Sequence, residues 1–149
     1  MDWFHSTYTN RIDKKGRISV PADFRAVLAK RGSGRVVMFP SIYYPAIEGA
    51  AEDYLAELNQ RVEALPDFSQ ERDDMIDSIM PYIEQLSCDT EGRVVLPEAL
   101  IAHAGLHDQA TFIGRGKSFQ VWQPDALRQR QAEARARVQA QRPRLVERP

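Results

Sequence analysis

The chain has 149 residues, 43% of them apolar and so enough for a core, with a net charge of −1 and one cysteine. That length fits one domain or two small ones, the lone cysteine excludes an intrachain disulfide framework, and no run approaches the roughly 18 apolar residues of a membrane helix. Asp2 precedes any Lys or Arg and no hydrophobic run follows it, so the expectation is a soluble, cytoplasmic protein without a signal peptide.

The charge is unevenly spread. Residues 1–31 carry +4, residues 32–88 carry −8 and residues 89–149 carry +3. Two basic segments thus flank an acidic one, and local charge sets the field that a partner meets. The near-neutral total argues against indiscriminate coating of nucleic acid.

The first predicted strand is "STYTNRI". It runs into "DKKGRISVP", Asp13–Pro21. Asp is favoured at the first position of a type I turn and Gly at the fourth, and an Asp carboxylate accepts hydrogen bonds from its own turn. Asp13 and Gly16 therefore read as turn builders. Arg17 opens a strand whose Ile18 and Val20 keep the two-residue apolar period. Pro21 then opens a short helix, "ADFRAVLAKR", with Phe24, Val27 and Leu28 on one stripe and Gly32 at its end. Val36–Phe39 reads as the next strand, and Tyr43–Tyr44 as another after a turn at Pro40–Ser41.

Residues 50–65 and 69–80 read as two amphipathic helices split by Pro66, with Pro81 ending the second. Tyr54, Leu55, Leu58, Val62 and Leu65 form the first stripe, and Met75, Ile76, Ile79 and Met80 the second. Their acidic face reads as solvated, or as a contact to a basic surface of a neighbouring subunit.

The opening phrase then recurs. "YIEQLSC" is a short strand, with Cys88 read as a small buried hydrophobe beside a turn. "DTEGRVVLP", Asp89–Pro97, repeats Asp13–Pro21 at an offset of 76: Asp89, Gly92, Arg93 and Pro97 match Asp13, Gly16, Arg17 and Pro21. A helix "EALIAHA" ends at Gly105. Ala110–Ile113 and Phe119–Trp122 are strands around a turn at Gly114–Lys117. Neither half carries a generous core alone, so the economical arrangement interlocks both into one β-barrel about a pseudo-two-fold axis. From Asp125 a basic tail reads as helix to Gln141, either touching nucleic acid or lying solvated or between chains.

Catalytic and metal chemistry find little support. His103 and His107 straddle Gly105, no phosphate loop or nucleophile elbow occurs, and no cofactor, metal or small ligand is inferred.

"YTNRIDKKGRISVPADFR", with "DTEGRVVLPEAL" and "FIGRGKSFQVW", resembles the MraZ family of the AbrB-like group, over about Phe4 to Leu127. The resemblance implies a fold mainly β with α: an AbrB-like swapped-hairpin, double-split β-barrel from two internal repeats, plus an inserted helical hairpin and a C-terminal helix. The expected division is a first half-repeat over 4–48, the hairpin over 49–82, a second half-repeat over 83–124 and the tail over 125–149. It also implies a nucleoid-associated transcriptional regulator. Such a protein binds double-stranded promoter DNA at short direct repeats, as a homo-oligomeric ring. It represses the cell-division and cell-wall gene cluster that contains its own gene. The family's Asp-x-x-x-Arg motif falls on Asp13 with Arg17 and on Asp89 with Arg93. The early family glycine is displaced by Ser6 or His5, an alteration of a strand edge. Glu91 makes the second turn less basic than the first.

Arg11, Lys14, Lys15 and Arg17 are the expected DNA contacts around the first turn, with Arg25 reaching a flanking phosphate and Arg93 serving the second turn. Arg17 and Arg93 have a second reading, in which each pairs with its own Asp and locks the turn. Two other functions stay open: an antitoxin-type regulator whose tail binds a toxin, and a ring-forming protein without specific DNA binding.

Overall fold

The computed structural model describes residues 2–142. Its elements in chain order are β1 (Thr7–Arg11), β2 (Arg17–Ser19), α1 (Ala22–Lys30), β3 (Val36–Pro40), β4 (Ala46–Ala50), α2 (Glu52–Glu63), α3 (Gln70–Ile79), β5 (Glu84–Leu86), β6 (Arg93–Val95), α4 (Glu98–His103), β7 (Gln109–Gly114), β8 (Phe119–Trp122) and α5 (Pro124–Gln141). A single 3-10 turn, Met80–Tyr82, carries Pro81 between α3 and β5. The fold is mixed, mainly β with α. Six strands form an antiparallel sheet in the order β1-β7-β8-β4-β3-β5, and β2 pairs β6 in a separate ribbon.

The strand partners follow from chain lengths. β2 and β6 have three residues each and pair with each other, Arg17 opposite Val95, Ile18 opposite Val94 and Ser19 opposite Arg93, while Ile18 also forms an isolated bridge with Ile12. β1 pairs β7, β5 pairs β3, and β4 pairs β8. Adding 76 to residues of β1–β4 lands on or beside β5–β8, and the pairing pattern is unchanged by that exchange.

The main core lies beneath the ribbon. Ile18, Val20, Val94 and Leu96 are all but fully buried and point into it, each contributing about 1.5–3 kcal/mol by leaving water. They meet an aromatic cluster in which Phe24 packs against Phe4 and Phe119, with ring centroids 5.1 Å apart in both cases. Phe119 lies across Gly49, where a Cβ would stand 2.3 Å from the ring. A second cluster, Val37, Phe39, Leu58 and Ile79, seats α2 and α3 on the outer face of the sheet. Ser69 caps α3 by accepting from the Arg72 amide at 3.2 Å.

Several expectations shift. Tyr43–Tyr44 is not a strand. Both amides donate to the Ser41 hydroxyl, at 3.4 and 3.3 Å, and Ser41 N donates to Ala46 O at 2.9 Å. The hydroxyl holds a bend through Pro45, and the strand starts at Ala46. β4 therefore straddles the line expected at 48/49, and α2 starts at Glu52 rather than 50 because Ala50 belongs to β4. Cys88 is half-buried against the core, and burial raises its thiol pKa. The tail is helical to Gln141, as its composition suggests; Arg142 follows in the left-handed region, and the last seven residues of the tail expected over 125–149 lie outside the described residues.

Of Ser6 and His5, Ser6 has the positive φ, 72, that favours glycine. Left-handed backbone costs an L-residue roughly 1–2 kcal/mol, and glycine returns part of that gain as chain entropy. Ser6→Gly is expected to raise the melting temperature by about 1–4 °C, a shift fitting a net gain of up to ~1 kcal/mol. Thermal unfolding followed by circular dichroism measures it; a lower melting temperature contradicts strain at this strand edge.

Candidate nucleic-acid interface

Both turns are built by one carboxylate. Asp13 Oδ1 accepts from the amides of Lys15 and Arg17, each at 2.9 Å. Gly16 N donates to Asp13 O and Asp13 N donates to Arg17 O, both at 3.0 Å. Arg17 Nε donates to Asp13 Oδ2 at 2.6 Å. In the second turn, Asp89 Oδ1 accepts from the Glu91 and Arg93 amides at 2.9 Å, and Arg93 Nε donates to Oδ2 at 3.0 Å. Gly16 and Gly92 take φ 81 and 78, where side chains are disfavoured.

The turns also tie the halves together. Gly92 O accepts from Val20 N, and Gly16 O accepts from Leu96 N, both at 2.9 Å. Each turn therefore stands at one end of the ribbon, held by the strand of the other half. Along β2 and β6 the side chains alternate. Ile18 and Val94 go inward, and Arg17, Ser19, Arg93 and Val95 form the outer face. The two arginines occupy opposite corners. Ser19 and Val95 fill the other two, and Val95 is 57% exposed. Sequence reading assigned no role to Ser19 or Val95, although their spacing of 76 and the two-residue period mark them as outward equivalents.

The arginines act as locks without being used up. Arg17 reaches Asp13 through Nε, and among the described residues its terminal amino groups have no partner. Arg93 is locked the same way, with Nη2 also 3.4 Å from Glu91. Lys14 and Lys15 are exposed on the first turn, and Arg11 is exposed at the end of β1, two residues before Asp13.

Arg25 lies elsewhere than its chain position suggests. It follows the first turn, yet its guanidinium packs on the second. A Cβ on Gly92 would stand 2.6 Å from Arg25 Cζ. Nε donates to Val20 O at 3.1 Å. Ile101, 76 residues on, takes the matching place, with Cδ1 3.8 Å from a Cβ on Gly16.

Among the described residues no group of three or more His, Cys, Asp or Glu is placed to hold a metal ion, and no helix is long and apolar enough to cross a membrane. A cavity of about 640 Å³ opens between α2, α3 and the sheet, but no residue lining it belongs to the ribbon or either turn.

Residues 83–149 match a family model described as "MraZ protein, putative antitoxin-like". The chain is similar to the transcriptional regulator MraZ of Azorhizobium caulinodans, 42% identical over 93% of this chain and 88% of that one. The transcriptional regulator MraZ of Beijerinckia indica is 42% identical over 100% of this chain and 91% of its own. That of Rickettsia felis is 45% identical over 83% of both.

The turn carboxylates are acid-sensitive. The Arg17 amide hydrogen bond, with the Arg17 guanidinium and the Lys15 amide, holds the Asp13 pKa below its ordinary 3.8, and the Arg93 and Glu91 amides with the Arg93 guanidinium do the same for Asp89. A folded pKa below the unfolded one gives stability that is complete above about pH 4 and is lost as pH falls through the folded value. The Asp13→Asn/Asp89→Asn double variant is expected to melt lower than wild type at pH 7 and to lose less stability between pH 5 and pH 2. Melting curves over that range check it; parallel acid losses in the two proteins refute the assignment.

Proposed function

Because the chain belongs to the MraZ family, we propose that it is a non-enzymatic, sequence-specific regulator of transcription that binds double-stranded DNA through the outer face of the β2–β6 ribbon. The observation carrying this reading is the ribbon itself. Arg17 and Arg93 stand at opposite corners of one exposed face, each fixed through Nε, with Arg17's terminal amino groups unpartnered among the described residues. The major groove admits a two-stranded β-ribbon, and arginine reads guanine O6 and N7 bidentately. Lys14, Lys15, Arg11 and Arg25 supply phosphate contacts that position the ribbon without carrying sequence information.

The finer reading follows the same line. The cross-paired strands support two half-repeats, 4–48 and 83–124, forming one pseudo-symmetric AbrB-like barrel, with the hairpin over 49–82 and the tail over 125–149 as additions. One subunit offers few charges. A homo-oligomeric ring presenting several ribbons to short direct repeats raises the effective concentration and so the affinity. The target in this reading is the promoter of the cell-division and cell-wall cluster containing its own gene, and the protein is a cytoplasmic, nucleoid-associated repressor.

The family description's words "antitoxin-like" favour one alternative, in which α5 and the residues after it hold a toxin. A small toxin co-purifying with the protein supports that reading.

Titration against the upstream promoter and a scrambled duplex, across a salt series, tests the proposal. Wild type is expected to prefer the promoter, with both affinities falling as salt rises. Arg17→Ala is expected to reduce the promoter preference about 10–100-fold, the scale of one bidentate base contact, while the melting temperature falls modestly. No preference in wild type defeats the regulator reading. A variant that sediments as a lone subunit is expected to bind a multi-box promoter far more weakly; unchanged affinity defeats the ring.

A further inference from the structure

We infer that Arg25 is the phosphate-binding cation of the second turn, so that both turns engage the duplex although the second has no lysine matching Lys14 or Lys15. This rests on the DNA-binding reading above and assigns the surface that serves one half of it.

The two turns differ in a compensated way. Lys14 and Lys15 of the first turn correspond to Thr90 and Glu91 of the second. Within the second turn, Asp89 and Glu91 outweigh Arg93 by one negative charge, and Glu91 also draws on Arg93 Nη2. Alone, that turn repels a phosphate. The residue packed over each turn differs in the opposite sense. Ile101 lies over the basic turn and Arg25 over the acidic one. Arg25 brings the second turn to neutrality and adds a guanidinium at its surface.

The placement is built rather than incidental. Gly92 leaves the space that the guanidinium fills, since a Cβ there would stand 2.6–2.7 Å from Cζ, Nε and Nη1. Gly92 O and Val20 N are joined at 2.9 Å, and Arg25 Nε donates to the carbonyl of that same Val20. The group is thus oriented by a hydrogen bond within its own half, at the residue whose amide joins the two halves. Among the described residues no carboxylate pairs with Arg25, and the residue is exposed. An exposed, oriented fork with open donors suits a phosphate oxygen.

Binding of wild type, Arg25→Gln, Glu91→Lys and the double variant to promoter and scrambled duplexes, each over a salt series, decides the matter. Arg25→Gln is expected to weaken both duplexes by the same factor. It should also lower the slope of log affinity against log salt by about one per engaged subunit. Adding Glu91→Lys is expected to restore the slope. A wild-type slope in Arg25→Gln overturns the inference and leaves Arg25 as a brace of the turn. A loss confined to the promoter also overturns it, because a phosphate contact carries no base information. The scrambled duplex separates the two readings: absence of promoter preference in wild type sinks the regulator proposal, whereas the slope change reports the phosphate contact itself.

Discussion

A three-residue strand cannot satisfy its own backbone, and β2 and β6 are both of that length. β2 and β6 pair with each other along their whole length. The rest of the molecule follows from that pairing. It places Ile18 beside Val94 over the aromatic cluster and brings each turn's glycine carbonyl to the other half's amide, and the longer strands cross-pair in the same sense. Residues before and after the α2–α3 hairpin thus share one ribbon and one core cluster.

The same constraint makes the surface. Alternation along a strand sends residues 17 and 19 outward when 18 goes inward. Antiparallel pairing then puts residues 93 and 95 on that outer face in reverse order. Two copies of one phrase thus yield a four-cornered face with arginines on a diagonal. The carboxylate turns hold each arginine at the root of its guanidinium, at Nε, and the ends project from a fixed point. A side chain ordered before binding loses less entropy on contact.

Much of this was legible because the determining contacts are local. The Asp-x-x-Gly-Arg turn closes within five residues, and every bond that builds it comes from residues of the phrase itself. The helices of the hairpin follow from apolar spacing and Ser69. Tyr43–Tyr44 misled because two aromatic residues favour strands, while the deciding contact was a serine hydroxyl taking their amides. Arg25 was named as a contact but not located, because its seat lies on the other half. The signal existed in the offset of 76, which sets Arg25 against Ile101 and Lys15 against Glu91. Reading that pair of mismatches together required knowing that each helix packs over the opposite turn.

The two roles considered for the motif arginines, turn lock and reader, use different atoms. Nε faces the carboxylate, in line with the turn, and fixes the direction of the guanidinium plane. Nη1 and Nη2 lie at the far edge, and a base or phosphate would be met there. Lysine has no such division, since its one nitrogen would have to choose between Asp13 and a partner. An arginine at this position is therefore the side chain that keeps the turn closed while offering donors outward. Arg25 follows the same rule by another route: Nε is held by Val20 O, and its other end is displayed over Gly92. Three guanidiniums anchored through Nε around one short ribbon describe a surface whose charges are positioned by the fold before any partner arrives.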